Sequence, residues 1–270
     1  MREIGTGNIL VDVDGHRGDI VLNRPEKRNA MNEAVLRDLK QAFEEVLADD
    51  SVRAIALLGE GPVFCAGMDL EMMRDRGEHG DSSDEAEAQS ESGNLLGEAI
   101  EVIDTARVPT VVGIKRAAPA GAFELSLPAD FRVISTDAKY GVIEVQLGTF
   151  PHGGATQRLP RMIGLAKAKE LVLSGEFIDP DEAKQIGLVN EVCEPDEVDA
   201  RARELADELA ENAPLGMENA RKALNAALEM PLDEGLAYEQ ALGSQLDDTY
   251  DYTEGFSARL EDREPEFEGR

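Results

Sequence analysis

Apolar residues in the first half of the chain fall into two alternating rhythms. Ile9-Leu10-Val11-Asp12-Val13 and Asp19-Ile20-Val21-Leu22 flank a turn at Asp14-Gly15 and read as two short strands, the second broken by Asn23-Arg24-Pro25. Next, Val35, Leu36, Leu39, Phe43, Val46 and Leu47 recur at three- and four-residue spacing, which predicts a helix capped by Asn32. Ala54-Ile55-Ala56-Leu57-Leu58 is a near-continuous apolar strand, stopped by Gly59 and Gly61-Pro62. Strand, helix and strand in this order imply a parallel pairing with a crossover. The alternation continues with a helix from Leu95 to Ala106, ended by Val108-Pro109, and a strand at Thr110-Val111-Val112-Gly113-Ile114. A short helix from Gly121 is stopped before Pro128, and Phe131-Arg132-Val133-Ile134-Ser135 is a further strand. Short connections between such units predict an α/β fold with helices packed on sheets.

Two stretches follow other rules. Glu71 to Ser92 is acidic, rich in Ser and Gly and without clear periodicity, which predicts a mobile surface excursion. From Ala155 onward the pattern is mostly helical, over 155–163, 166–173, 181–186, 196–211, 216–228, 232–246 and 253–263. Asp179-Pro180-Asp181 and Ala213-Pro214-Leu215 break it, and Leu188 to Val192 reads as one last small strand. The final helices are amphipathic, so they either pack on their own core or bury a face against another subunit.

The 270 residues, 42% of them hydrophobic, suffice for a large core. No apolar run reaches the ~18 residues of a membrane span, and the N-terminus lacks the apolar core of a signal peptide. Cys65 and Cys193, both in apolar sequence, give neither a disulfide framework nor a metal-binding spacing, so a reducing cytoplasm is the expected location. The formal net charge is −29, with 56 acidic against 27 basic residues. Nucleic-acid binding is therefore not expected, because phosphate contacts need Lys and Arg. The acid is dispersed along the chain and lysines are few, which suggests adaptation to high salt, where screening suppresses self-repulsion.

Candidate chemistry concentrates between Val63 and Arg158. Val63-Phe64-Cys65-Ala66-Gly67-Met68-Asp69-Leu70 and Pro119-Ala120-Gly121-Ala122-Phe123-Glu124-Leu125 end apolar runs on small residues, where backbone N–H groups can be left free. Glu124 and Glu144 each interrupt otherwise apolar sequence. Backbone donors beside sheltered carboxylates can polarise a carbonyl and move protons near it. Taken alone, Glu124 also fits an ordinary solvent-facing helix residue. Glu144, in Tyr140-Gly141-Val142-Ile143-Glu144-Val145, fits an edge-strand surface position as well as a site residue.

Several motifs occur in one order: Leu22-Asn23-Arg24-Pro25 with Asn29-Ala30-Met31, then Phe64 to Leu70, then Gly148-Thr149-Phe150-Pro151 with Gly153-Gly154-Ala155-Thr156-Gln157-Arg158-Leu159. Thr253-Glu254-Gly255-Phe256 and Glu264-Pro265-Glu266-Phe267 close the chain. Together they resemble the crotonase, or enoyl-CoA hydratase/isomerase, superfamily over nearly the whole length. The resemblance implies a spiral of repeated ββα units in a core over 1–195. It also implies a helical region over 196–270 that forms a homotrimer, often as a dimer of trimers. It implies an acyl-CoA thioester substrate that brings the CoA with it, and no metal or other cofactor.

By position, the resemblance assigns the oxyanion hole to the backbone N–H groups of Met68 and Gly121, the latter opening a helix whose dipole adds to the stabilisation. It assigns catalysis to Glu124 and Glu144, substrate or CoA contacts to Lys27, Arg28, Ala30, Ala66, Asp69 and Leu70, and pocket walls to Phe150 and His152. Hydratases of this family keep two glutamates, whereas isomerases commonly keep only the second. The implied reaction is thus syn addition of water to a trans-2-enoyl-CoA, giving a 3-hydroxyacyl-CoA. An isomerase, another acyl-CoA lyase or hydrolase, and a non-catalytic CoA-thioester binder remain the alternatives. The sequence departs from the family pattern in three places. Lys115-Arg116 and Pro119-Ala120 stand where hydratases carry Asn-Gly and further glycines, with Arg116 expected near the pocket entrance. His152 replaces a glycine. Asp262 and Glu264 occupy positions where lysines often reach a neighbour's CoA, so that contact is either absent or made by Arg263.

Overall fold

The computed structural model describes residues 1–79 and 95–270. An antiparallel meander opens the chain, formed by β1 (Arg2–Ile4), β2 (Ile9–Asp14) and β3 (Arg17–Leu22). Helix α1 (Glu33–Leu47) starts where the Asn32 side chain accepts the Val35 N–H, and its buried stripe contains Val35, Leu36, Leu39, Phe43 and Val46. It returns the chain to β4 (Ala54–Gly59), which pairs in parallel with β3. Helices α2 (Leu70–His79) and α3 (95–104) precede β5 (Thr110–Ile114), parallel beside β4. Then follow β6 (Ala117–Pro119), α4 (Gly121–Ser126), β7 (Phe131–Ser135) and β8 (Lys139–Gly141). The C-terminal part contains α5 (Ala155–Ile163), α6 (Leu165–Ser174), β9 (Phe177–Ile178), α7 (Pro180–Gln185) and β10 (Glu191–Cys193), then α8 (Val198–Ala210), α9 (Pro214–Ala226), α10 (Leu232–Ser244) and α11 (Tyr250–Glu261).

The strands form one sheet in the order β1-β2-β3-β4-β5-β7-β10 and a small one in the order β6-β8-β9. Alternation along the central strands feeds two apolar layers. Ile20, Leu22, Ile55, Leu57, Val112 and Ile114 enter the large layer with α1 and α3. Val21, Ala56, Leu58 and Val111 enter the second with Val198, Ala202, Leu205 and Ala206 of α8. A Cβ on Gly113 would lie 2.7 Å from Leu58 Cδ2 and 3.2 Å from Ala202 Cβ, so glycine there lets α8 seat on the sheet. The helical region set off at residue 196 therefore begins with a helix that belongs to the core layer.

The structure corrects four local expectations. The stretch from Glu71 begins as helix α2 rather than as an irregular excursion, with Asp69 accepting the Glu71 N–H at 3.1 Å at its start. The remainder of that expectation, over 80–92, lies outside the described residues. The last strand is Glu191–Cys193, paired in parallel with β7, and not Leu188 to Val192. Glu144 stands on a 3-10 turn, Glu144–Leu147, rather than in an edge strand. Arg116 is drawn to Asp137 at 3.0 Å, with its backbone N–H on Ser135 Oγ, so its charge is engaged by the loop after β7.

Helix α9 buries no side chain, and Leu224, Leu232, Phe256 and Leu260 on α9, α10 and α11 are 61–89% exposed. Such a face is amphipathic and has no partner among the described residues. The tail after α11 folds back on two buried acids: Glu254 holds Arg263 through both oxygens at 2.6 and 2.8 Å, and Asp251 accepts the N–H groups of Glu268 and Gly269. Acidic residues exceed basic ones by 29 formal charges, so folding concentrates charge that water alone screens poorly. Raising KCl from about 0.1 M to about 2 M should raise the thermal midpoint, because the Debye length falls to a few ångströms. A midpoint that falls or stays flat in that series would remove the salt-adaptation reading.

Candidate active site

Four segments converge: the loop before α2, the start of α4, the 3-10 turn after β8, and the approach to α5. In the first, Met31 and Met68 form a parallel bridge, with Met31 N–H on Gly67 O at 2.8 Å and Asp69 N–H on Met31 O at 2.9 Å. The bridge uses the peptide groups on either side of Met68, and the Met68 N–H has no acceptor among the described residues. Gly67 makes the turn that exposes it, at φ +91°.

The second donor follows β6. Pro119 pairs with Gly141, Ala120 N–H donates to Gly141 O at 2.9 Å, and Gly121 begins α4 with its own N–H unbonded among the described residues. The two donor segments touch. A Cβ on Gly67 would lie 2.9 Å from Pro119 O, and one on Gly121 3.1 Å from Met68 Cγ. Ala120 is held at φ 51°, ψ −123°, a region glycine occupies without strain. Ala120→Gly should therefore raise stability by about 1 kcal/mol, the strain released less the entropy glycine loses on folding. An unchanged thermal midpoint would show that the turn carries no strain.

Both carboxylates lie in this convergence. Glu124, on α4, is 2% exposed, and its Oε1 accepts the N–H groups of Gly153 at 2.8 Å and Ala155 at 3.1 Å. Burial pushes its carboxyl above the ordinary carboxylate range, while those two N–H bonds pull it back. A Cβ on Gly153 would meet Glu124 Oε2 at 2.9 Å, so the missing side chain is what lets the backbone reach the carboxylate. Glu144 is 6% exposed; neither oxygen has a partner on another described residue, and its own backbone N–H compensates only in part. Burial, with the nearby Glu124 charge adding to it, pushes Glu144 up to about 7.

Phe150 and His152 stand on the approach to α5, both exposed, with ring centroids 6.0 Å apart. His152 Nδ1 donates to Phe150 O at 2.9 Å, since a carbonyl only accepts. A positive charge on this ring would favour the ionised forms of both glutamates. The remaining assigned residues form a second group, with Lys27, Arg28 and Ala30 on the turn after β3 and Ala66, Asp69 and Leu70 on the loop into α2. Lys27 lies 3.6 Å from Glu71 at the surface, Arg28 and Leu70 are exposed, and Ala30 and Ala66 are half-buried. Asp69 is buried and bonded to Arg24 Nη1 at 2.8 Å. Arg263 is committed to Glu254, well within its own tail.

Sequence reasoning did not single out Arg24 or Asn29 as individual site residues, nor the amides of Gly153 and Ala155 as partners of Glu124. Arg24 and Asn29 both carry a signal, as polar residues inside the Leu22-Asn23-Arg24-Pro25 and Asn29-Ala30-Met31 motifs, and Asn29 is at φ +55° and 1% exposed. A cavity of about 1110 Å³ lies elsewhere, between α9, α10 and the Pro128–Arg132 segment. Its arginines are mostly committed, Arg158 to Asp104 and Arg221 to Asp130. None of the four convergent groups lines it, so its size says nothing about the chemistry. Among the described residues no cluster of three or more His, Cys, Asp or Glu is arranged to hold a metal ion, and no helix is long and apolar enough to cross a membrane.

Comparison with known proteins adds to this geometry. The sequence family described as enoyl-CoA hydratase/isomerase matches residues 18–270. A mitochondrial methylglutaconyl-CoA hydratase of Mus musculus is 38% identical over 264 residues, covering 94% of this chain and 81% of that protein. A short-chain-enoyl-CoA hydratase of Clostridium acetobutylicum is 31% identical over 260 residues, covering 96% and 97%. The crystal structure of an enoyl-CoA hydratase from Bacillus anthracis superposes with a TM-score of 0.89 at 32% identity, covering 97% of this chain and 100% of that one.

Proposed function

Because the chain belongs to the enoyl-CoA hydratase/isomerase family, we propose that it is a hydratase, adding water syn across a trans-2-enoyl-CoA to give a 3-hydroxyacyl-CoA. The observation that carries this reading is the pair of buried glutamates, both raised, beside two backbone N–H groups that are unbonded among the described residues. The Met68 and Gly121 amides would hold the thioester oxygen and stabilise the enolate that forms when water adds at the β-carbon. Glu124, whose Oε1 is fixed by two amides that favour its charged form, would take the proton from water. Glu144, raised to about 7, would carry the proton delivered to the α-carbon. The two exchange roles in the reverse direction. No step calls on a metal or a bound cofactor, since CoA arrives with the substrate.

The exposed face of α9 to α11 supports assembly as a homotrimer or a dimer of trimers, and the dispersed acid supports work in a salt-rich cytoplasm. The test is hydration of crotonyl-CoA in about molar salt, followed by loss of the conjugated thioester absorbance. Wild-type activity that collapses in both Glu124→Gln and Glu144→Gln is the expected result. Activity that needs neither glutamate would sink the assignment. Isomerisation of a 3-enoyl-CoA that survives loss of Glu124 but not of Glu144 would move the protein to isomerase chemistry.

A further inference from the structure

The turn after β3 does more than stand near the first donor loop; it is hydrogen-bonded along the length of that loop. Asn29 Nδ2 reaches the carbonyls of Glu60, Val63 and Phe64 at 2.9, 3.1 and 2.9 Å, while its Oδ1 accepts the Arg24 N–H at 2.8 Å. Arg28 O accepts the Ala66 N–H at 2.9 Å, and Met31 takes the bonds to Gly67 and Asp69 described above. Arg24 Nη1 bridges Ala30 O at 3.1 Å and Asp69 Oδ2 at 2.8 Å. Asp69 Oδ1 meanwhile accepts the Glu71 N–H that starts α2. The loop is thus gripped at both ends, by Asn29 before Ala66 and by the Arg24–Asp69 pair just after Met68.

This arrangement leaves Asp69 poorly placed to touch substrate. Both of its oxygens are engaged and it is 8% exposed. The Arg24 guanidinium also holds its carboxyl below the ordinary carboxylate range, as expected for a group serving as a fixed anchor. Two consecutive non-glycine residues, Arg28 and Asn29, sit at φ 52° and 55°, a strained backbone that the dense bonding of this turn over-determines.

We infer that Arg24, Asn29 and Asp69 are positioning residues for the first oxyanion donor: the turn that carries the candidate CoA contacts Lys27, Arg28 and Ala30 is the scaffold that fixes where the Met68 N–H points. The inference rests on the reading of Met68 as an oxyanion donor. It ties two halves of the site together. A substrate that engages the turn at 27–30 presses on the element that sets the donor, so binding remote from the reacting carbonyl serves the transition state.

Asp69→Asn tests this with an isosteric change. Asn keeps Oδ1 as acceptor for the start of α2, but turns an N–H toward Arg24 Nη1 in place of the lost acceptor. The expected result is a fall in kcat for crotonyl-CoA of about 10- to 100-fold, the scale of a small misplacement of a catalytic group, with KM changed less than about 3-fold. Arg24→Met should behave alike, Arg24→Lys should recover part of the loss, and Arg24→Met/Asp69→Asn should be little worse than either single change. A second readout does not depend on hydration: the enolate absorbance of bound acetoacetyl-CoA reports the oxyanion donors directly. It should weaken in Asp69→Asn while the complex still forms and the thermal midpoint stays near that of the wild type. Unchanged kcat and unchanged enolate absorbance would overturn the inference. So would a rise in KM at constant kcat, which would make Asp69 a substrate contact. A wild type that fails to hydrate yet shows a donor signal sensitive to Asp69 would sink the hydratase reading and leave this one standing.

Discussion

Glu144→Gln is expected to lower turnover by about 10²- to 10⁴-fold, the usual worth of a positioned acid or base, and at the same time to stabilise the folded protein at pH 8. Both effects have one cause. The Glu144 carboxyl is buried, without a partner on another described residue and beside Glu124, and its folded pKa stands at about 7 against an ordinary 4.5. Between those two values the folded state binds more protons than the unfolded chain, so the wild type loses stability as pH climbs through that window. Gln has no proton to lose. The advantage of the variant should be absent near pH 4.5, grow through the window and be full above pH 7. At ~1.4 kcal/mol per unit, this amounts to about 5 °C in the thermal midpoint of a chain this size. Thermal melts of both proteins from pH 4.5 to 8 check it, and equal midpoints at pH 8 would mean that Glu144 is solvated. Glu124→Gln should lose activity without a comparable gain, because the Gln carbonyl oxygen can still accept the Gly153 and Ala155 N–H groups.

The sequence made the long central elements legible because burial on both sides of the sheet writes itself as unbroken apolar runs. Ala54–Gly59 and Thr110–Ile114 are of this kind, and the 3- and 4-residue spacing before them locates α1. Strands β1, β6 and β9 escaped because two or three residues cannot display a period of two. Helix α2 escaped because composition outweighed its cap: Asp69 bonds the Glu71 N–H, but an acidic neighbourhood reads as solvated surface. In the site, Glu144 was legible as a charge amid apolar residues, whereas Glu124 fits either side of a helix until Gly153 and Ala155 are brought to it from 29 and 31 residues away. For Asp69 the motif gives a place among the substrate contacts, and the structure adds what no motif displays, that its two oxygens accept from Arg24 and the Glu71 N–H.

Gly67→Ala is expected to remove most activity from a protein that still folds. Gly67 sits at φ +91°, and a Cβ there would lie 2.9 Å from Pro119 O, a backbone atom that cannot swing aside. To relieve the clash, either the loop bearing Met68 or the segment bearing Gly121 must shift, and the two N–H groups then no longer converge on one oxygen. Loss of a single oxyanion donor costs about 10²- to 10³-fold in kcat, so the drop should fall in that range. Strain alone would cost about 1–3 kcal/mol of stability, which calls for a control that shares the strain but not the contact. Gly15, in the turn between β2 and β3, provides one: its φ is +60° and nothing lies within 4 Å of a Cβ built there. Gly15→Ala and Gly67→Ala should both lower the thermal midpoint, but only the second should lower kcat and weaken the enolate absorbance of bound acetoacetyl-CoA. If Gly67→Ala lost stability yet kept wild-type kcat, Met68 would not be an oxyanion donor. The polarisation of the thioester would then have to come from Gly121 and a group outside this loop.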